Sequence, residues 1–76
     1  MKAVVHVGLK PGVLDPQGRA VQKSLHDLGF GEVEDVRIGK VITLELGESS
    51  EEQVREMCEK LLANTVIESY RIDMEG

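Results

Sequence analysis

Polar and apolar residues alternate from the first positions of the chain. Between Lys2 and Leu9, Ala3, Val5, Val7 and Leu9 fall on one side, and Lys2, Val4, His6 and Gly8 on the other. That period of two predicts a strand with one buried face. The next stretch, Lys10 to Gly18, holds two prolines and two glycines and reads as a shaped loop. Within it Asp15-Pro16 has the form of a helix N-cap followed by proline at the first helical position, where a missing N–H costs nothing. A helix is expected from about Pro16 to Leu28, with Val21, Leu25 and Leu28 as its apolar stripe and Gly29 as a left-handed C-terminal stop. Two strands are then expected, Val33 to Gly39 and Val41 to Leu46, with Gly39-Lys40 as a tight hairpin between them. A second helix follows. Ser49 with Glu52, or Ser50 with Gln53, offers a capping box, and Val54, Met57, Cys58, Leu61 and Leu62 recur at helical spacing as far as Asn64. A last strand is expected over Ile67 to Met74, with Tyr70, Ile72 and Met74 on one face.

The order is β-α-β-β-α-β. With right-handed crossovers it predicts one ferredoxin-like α+β domain over residues 1–76: a four-stranded antiparallel sheet with both helices on one face. The other face is left uncovered. It would carry Val4, His6, Gly8, Val33, Arg37, Val41, Thr43, Glu45 and Arg71. The valines make an apolar centre and the charges a surround, which is the pattern of a protein interface. An ordinary half-wetted sheet is the alternative, since scattered surface apolar residues are common.

Size sharpens the point. A chain of 76 residues buries only ~60% of the surface its unfolded form exposes, and its core supplies ~3–5 kcal/mol. Small domains are stapled by disulfides, a metal or another subunit. One cysteine, Cys58, permits no internal disulfide, and His6 and His26 lie at no metal-ligand spacing from it or from each other. Association with other chains is the staple that remains.

Charge and composition exclude several functions. Nine basic against fourteen acidic residues give a net charge of −5, unsuited to a phosphate backbone. Phe30 and Tyr70 are the only aromatic residues, too few for a base-stacking platform. There is no apolar run of the ~18–20 residues a membrane span needs. The start Met1-Lys2-Ala3 reads as strand rather than export signal, and with one free thiol a reducing cytoplasm is expected.

A search for chemistry yields no catalytic residue. His6 lies on the uncovered face of a strand, and His26 on a helix beside Leu25; solvated or interface histidines explain both. Cys58 lies on an apolar helix face, where a thiol behaves as a small hydrophobe rather than a nucleophile. Asp15, Asp27, Asp35 and Asp73 form no carboxylate pair at a readable spacing. Lys10-Pro11-Gly12 lacks the ending of a phosphate-binding loop, and no nucleophile, base and orienting group stand together. An autonomous enzyme is not indicated.

Three segments together resemble the PurS family, the small subunit of phosphoribosylformylglycinamidine synthase. They are Leu9-Lys10-Pro11-Gly12-Val13-Leu14-Asp15-Pro16-Gln17-Gly18 leading into Ala20-Val21, then Val36-Arg37-Ile38-Gly39-Lys40, and Leu61-Leu62-Ala63-Asn64-Thr65-Val66-Ile67-Glu68-Ser69-Tyr70. They occur in the family's order and spacing, and the similarity runs over almost the whole chain. Thr65 stands where the family usually has proline, and Ser69 where it often has an acid. The resemblance implies a β-α-β-β-α-β subunit, commonly a homodimer, that joins a large synthetase subunit and a glutaminase subunit in purine biosynthesis. It implies an assembly that uses ATP, magnesium and glutamine to convert formylglycinamide ribonucleotide to formylglycinamidine ribonucleotide, with all of that chemistry on the larger subunits. This chain would bind no cofactor or metal; its part would be assembly and, through it, ammonia transfer.

Two surfaces are candidates for partner contact. One is the loop Lys10, Pro11, Gly12, Val13, Leu14 and Asp15 together with Arg37, Gly39 and Lys40; the other is the sheet face of Val4, His6, Val41, Thr43 and Arg71. For Pro11, Gly12, Asp15 and Pro16, turn and cap chemistry is the competing explanation, whereas nothing local calls for charge at Lys10, Arg37 or Lys40. A dimeric small-molecule sensor is the rival function, because the same fold serves many purposes. An RNA-binding sheet is a third reading, opposed by the charge and the missing aromatics.

Overall fold

The computed structural model describes residues 1–48 and 50–75. Its elements in chain order are β1 (Lys2–Leu9), α1 (Pro16–Asp27), β2 (Lys40–Glu45), α2 (Glu51–Met57), a π turn (Cys58–Leu62) and β3 (Glu68–Glu75). The sheet has three strands, in the order β2-β1-β3, each pair antiparallel. The expected fourth strand, Val33 to Gly39, is not in it, and the expected Gly39-Lys40 hairpin does not form. The segment runs straight on into β2.

The reason lies in where the backbone of that segment finds its partners. Asp15 takes the N–H of Ile38 at 2.8 Å. Gln22 donates to the carbonyls of Val33 and Glu34, and the His26 ring lies 2.8 Å from the Val33 carbonyl. Groups that a strand would spend on a neighbour are spent on α1 and its cap. α1 and residues 33–38 thus form an arm of their own.

The placement of both helices on one sheet face is corrected as well. α2 packs on the sheet; α1 stands away from it. Its stripe is correspondingly open: Val21 and Leu28 are exposed, with Phe30 beyond them, and only Leu25 is half-buried. The radius of gyration is 15.6 Å and the extents 49 × 25 × 14 Å, against ~11 Å expected for a compact chain of this length. The projecting arm accounts for the excess.

The predicted ends of α1 are present. The Asp15 carboxylate accepts from the N–H of Gly18 at 2.8 Å, with Pro16 in the first turn. At the other end Gly29 has φ of 100°. Its N–H reaches the His26 carbonyl and that of Phe30 the Leu25 carbonyl, the paired bonds of a Schellman stop. At α2 the capping box is Ser50 with Gln53, both bonds present; the Ser49 alternative lies outside the described residues.

The core is one-sided. Ala3, Val5 and Val7 of β1 meet Val54, Cys58 and Ala63, flanked by Ile42, Leu44, Leu62, Tyr70, Ile72 and Met74. The helix expected to continue to Asn64 widens at Cys58, where the N–H of Ala63 bonds the Cys58 carbonyl at 3.0 Å, five residues back. That extra residue carries Leu62 and Ala63 to the core and turns Leu61 outward, 82% exposed.

Candidate functional site

At one end of the sheet four pieces of chain meet: the last residues of β1, the loop from Lys10 to Asp15, residues 35–39 and the turn at 64–68. Lys10 is the knot. Its N–H donates to the Ile67 carbonyl at 2.8 Å, its ammonium to the Thr65 carbonyl at 2.6 Å, and its own carbonyl accepts from the Val13 N–H and the Arg37 guanidinium, each at 3.1 Å. Pro11 and Gly12 form the exposed turn that this knot closes, and Gly12 takes the left-handed φ of 87° that favours glycine.

Asp15 is buried and joins the loop to the arm through Gly18 and Ile38. The Ile38 N–H first, and the Gly18 N–H next, hold its carboxyl below the usual carboxylate range; burial opposes them and the nearby Arg37 adds to them. Gly39 lies against β1 so closely that a Cβ there would stand 2.5 Å from the Val7 carbonyl oxygen. Only glycine lets the chain pass from the arm into β2 at this point.

Every residue of the first candidate surface is therefore at this end. Pro11, Gly12, Arg37 and Gly39 line one open hollow with Asp35; Leu14 and Asp15 border another with Arg37; Lys40, the first residue of β2, shares a third with Asp15 and Gly39. Val13 is half-buried and Leu14 is 61% exposed. Two of the three charges are bound locally, Lys10 and Arg37 each holding a backbone carbonyl. Both tie segments together as well as presenting charge at the surface.

The second candidate surface is the sheet face opposite the core. Register places Val4 beside Thr43 on β2, and His6 between Val41 on β2 and Arg71 on β3. All five residues expected there share the face. Val33 and Arg37 do not, because residues 33–39 leave the sheet. A further residue joins it. The Asp73 carboxylate lies 3.1 Å from His6 Nε2 and 3.3 Å from the Arg71 guanidinium. Alternation along β3 already placed Asp73 on the side of Arg71. Its reach across to β1 needed the register.

No group of three or more His, Cys, Asp or Glu side chains suited to a metal occurs among the described residues. Cys58 is fully buried, and burial pushes its thiol up from its ordinary range, which leaves it protonated and unreactive. No helix of the described residues is long and apolar enough to cross a membrane.

Against known proteins, the family model for PurS, phosphoribosylformylglycinamidine (FGAM) synthase, matches residues 2–76. The PurS subunit of the synthase from Bacillus subtilis is 56% identical over 77 residues, covering 97% of this chain and 92% of that one. The PurS subunit from Methanocaldococcus jannaschii is 49% identical, covering 97% and 94%. Among solved structures, Bacillus subtilis PurS superposes with a TM-score of 0.92 at 55% identity, over 99% of this chain and 98% of that one. A chain of the PurLQS structure from Thermotoga maritima does so with a TM-score of 0.81 at 32% identity, over 95% and 93%. With a family model matched over residues 2–76 and relatives up to 56% identical over 97% of its length, this chain belongs to the PurS family, the PurS subunit of phosphoribosylformylglycinamidine synthase in purine biosynthesis.

Proposed function

We propose that this chain is the non-catalytic assembly subunit of its synthase, holding a large synthetase subunit and a glutaminase subunit in a working arrangement. The observation that carries the reading is the match to a chain of the Thermotoga maritima PurLQS structure over 95% of this chain, where a PurS subunit sits in an assembly named for three components. The chemistry belongs to the larger subunits: the glutaminase releases ammonia from glutamine, and the synthetase spends ATP with magnesium to convert formylglycinamide ribonucleotide to formylglycinamidine ribonucleotide. This chain binds none of these, works in the cytoplasm, and pairs with itself.

The shape suits that part. The 49 Å length and the open stripe of α1 leave more apolar surface bare than a solitary 76-residue domain sustains. Lys40 and the Pro11-Gly12 turn stand exposed at the loop end, ready for contact.

Affinity capture with the tagged chain from its native extract tests the reading. A large ATP-dependent synthetase and a glutaminase should be recovered together. Recovery of neither would overturn it.

A further inference from the structure

Residues 14–38 form an arm that meets the rest of the chain at few points. Within it α1 and the segment 33–38 are bound to one another. Gln22 and His26 reach the carbonyls of Val33 and Glu34, and Asp15 takes the N–H of Ile38. Far less joins the arm to the sheet. α1 stands away from the strands. Among the described residues one hydrogen bond passes from arm to body, from the Arg37 guanidinium to the Lys10 carbonyl at 3.1 Å, and it is exposed to solvent.

The chain crosses this junction twice, each time at a glycine. The outgoing crossing is the Lys10–Val13 turn, where Gly12 has φ of 87° and open space about its Cα. The returning one is Gly39, which passes the Val7 carbonyl with no side chain between them. Both crossings border one hollow. An internally bonded unit on one side, a hydrogen-bonded sheet on the other and two narrow crossings between them have the build of a hinge. The lever is long. α1 has 12 residues, so a turn of ~20° at its base carries the far end, about 18 Å away, through roughly 6 Å.

We infer that the arm turns as one rigid body about Gly12 and Gly39, and that Arg37 is the latch that restrains it. Lys10 is the fixed post. Its ammonium and its N–H are bound to the carbonyls of Thr65 and Ile67 on the body. The Arg37 bond to its carbonyl therefore ties the arm to the sheet rather than to a loose loop. The latch is exchangeable. The guanidinium holds a neutral carbonyl at an exposed position, and a carboxylate of another protein would offer it a stronger, charge-assisted bond. Release lets the bare stripe of α1 be presented over a range of angles.

Distances between paired nitroxide labels, read by pulsed electron resonance on frozen solutions, test this. One pair spans the hinge, Asp27→Cys on α1 with Glu52→Cys on α2. The other lies within the body, Thr43→Cys on β2 with Glu52→Cys. All three positions are exposed, and the buried Cys58 is out of the reagent's reach. Labelled chain is diluted into excess unlabelled chain, so that only distances within one chain are read. Both pairs are measured with Arg37 intact, with Arg37→Ala, and with Arg37→Lys, which keeps the charge on a side chain too short for the Lys10 carbonyl. With Arg37 intact the hinge pair should already show a broader distribution than the body pair. Both variants should widen it by roughly 5 Å, the reach of a ~20° turn, and leave the body pair as it was, which also shows that they fold. A hinge pair no broader in the variants than with Arg37 intact would overturn the latch. A hinge pair as narrow as the body pair throughout would overturn the hinge itself.

Discussion

Replacing Gly18 by alanine probes the joint between α1 and the segment that leaves the sheet. Gly18 is buried in the first turn of α1. A Cβ there would overlap the Val36 carbonyl oxygen, and would lie 3.0 Å from the Val36 carbonyl carbon and 3.1 Å from the Asp15 carboxyl carbon. In an isolated helix the change is favourable, by up to ~1 kcal/mol. Here the segment must retreat by roughly 1 Å or more to restore an ordinary contact. Overpacking of this kind costs ~1–3 kcal/mol, and the retreat also stretches the Asp15 bond to the Ile38 N–H from its present 2.8 Å. The two effects oppose, and the steric one wins by about 1–2 kcal/mol, a fall in Tm of roughly 5–15 °C for a domain of this size. Gly31 is the control, since a Cβ there meets nothing within 4 Å and its φ is not left-handed; Gly31→Ala should leave Tm within experimental error. Calorimetry of both variants decides. If Gly18→Ala raises Tm, the joint between α1 and residues 33–38 is not as described.

Further outcomes follow from the same geometry. Lys40→Glu should weaken association with the larger subunits and leave Tm unchanged, whereas Arg37→Glu should weaken association and also lower Tm, because Arg37 holds the Lys10 carbonyl; binding and unfolding assays on the two variants separate these effects. The Asp15 carboxyl is held below its ordinary value of 3.8, so it contributes stability that is fully present above that pH and is lost as pH falls through the lower folded value. Tm followed from neutral to strongly acid solution should decline less steeply at the acid end for Asp15→Asn, from a lower starting point. Val54→Ala removes a fully buried side chain opposite β1 and should cost ~2 kcal/mol, while the thiol of Cys58 in the wild-type chain should resist alkylation until the chain unfolds.

Much of the architecture was legible from local chemistry. β1 came from strict alternation, the start of α1 from Asp15-Pro16, its stop from Gly29, and the start of α2 from Ser50 with Gln53; each depends on residues within one turn of one another. The missing fourth strand shows where that reasoning ends. Val33 to Gly39 alternates well enough for a strand, but its hydrogen bonds go to the side chains of Asp15, Gln22 and His26, partners far enough along the chain that the local pattern does not reveal them. The position of α1 was misjudged for the same cause. Its stripe of Val21, Leu25 and Leu28 announces an apolar face without saying what will meet it. At the end of α2, the spacing of Leu61 and Leu62 looked helical, and the one-residue widening at Cys58 that sends Leu61 outward leaves no mark in the pattern.

The candidate surfaces divide in the same way. Periodicity assigned Val4, His6, Val41, Thr43 and Arg71 to one face, and the register agrees. The gathering of Lys10, Asp15, Arg37 and Gly39 at one end was not legible in the sequence, because it depends on contacts far apart along the chain, such as Lys10 to Ile67 and to Thr65. What the resemblance could not supply was their mechanical part: Lys10 and Arg37 hold backbone carbonyls, and Asp15 anchors the arm.

Reconstitution tests the central claim most directly. The synthetase and glutaminase subunits are combined with increasing amounts of this chain, and formation of formylglycinamidine ribonucleotide from ATP, glutamine and formylglycinamide ribonucleotide is followed. The rate should rise with the chain to saturation at a fixed stoichiometry, and the chain alone should turn over nothing. A full glutamine-dependent rate from the two larger subunits without this chain would contradict the account.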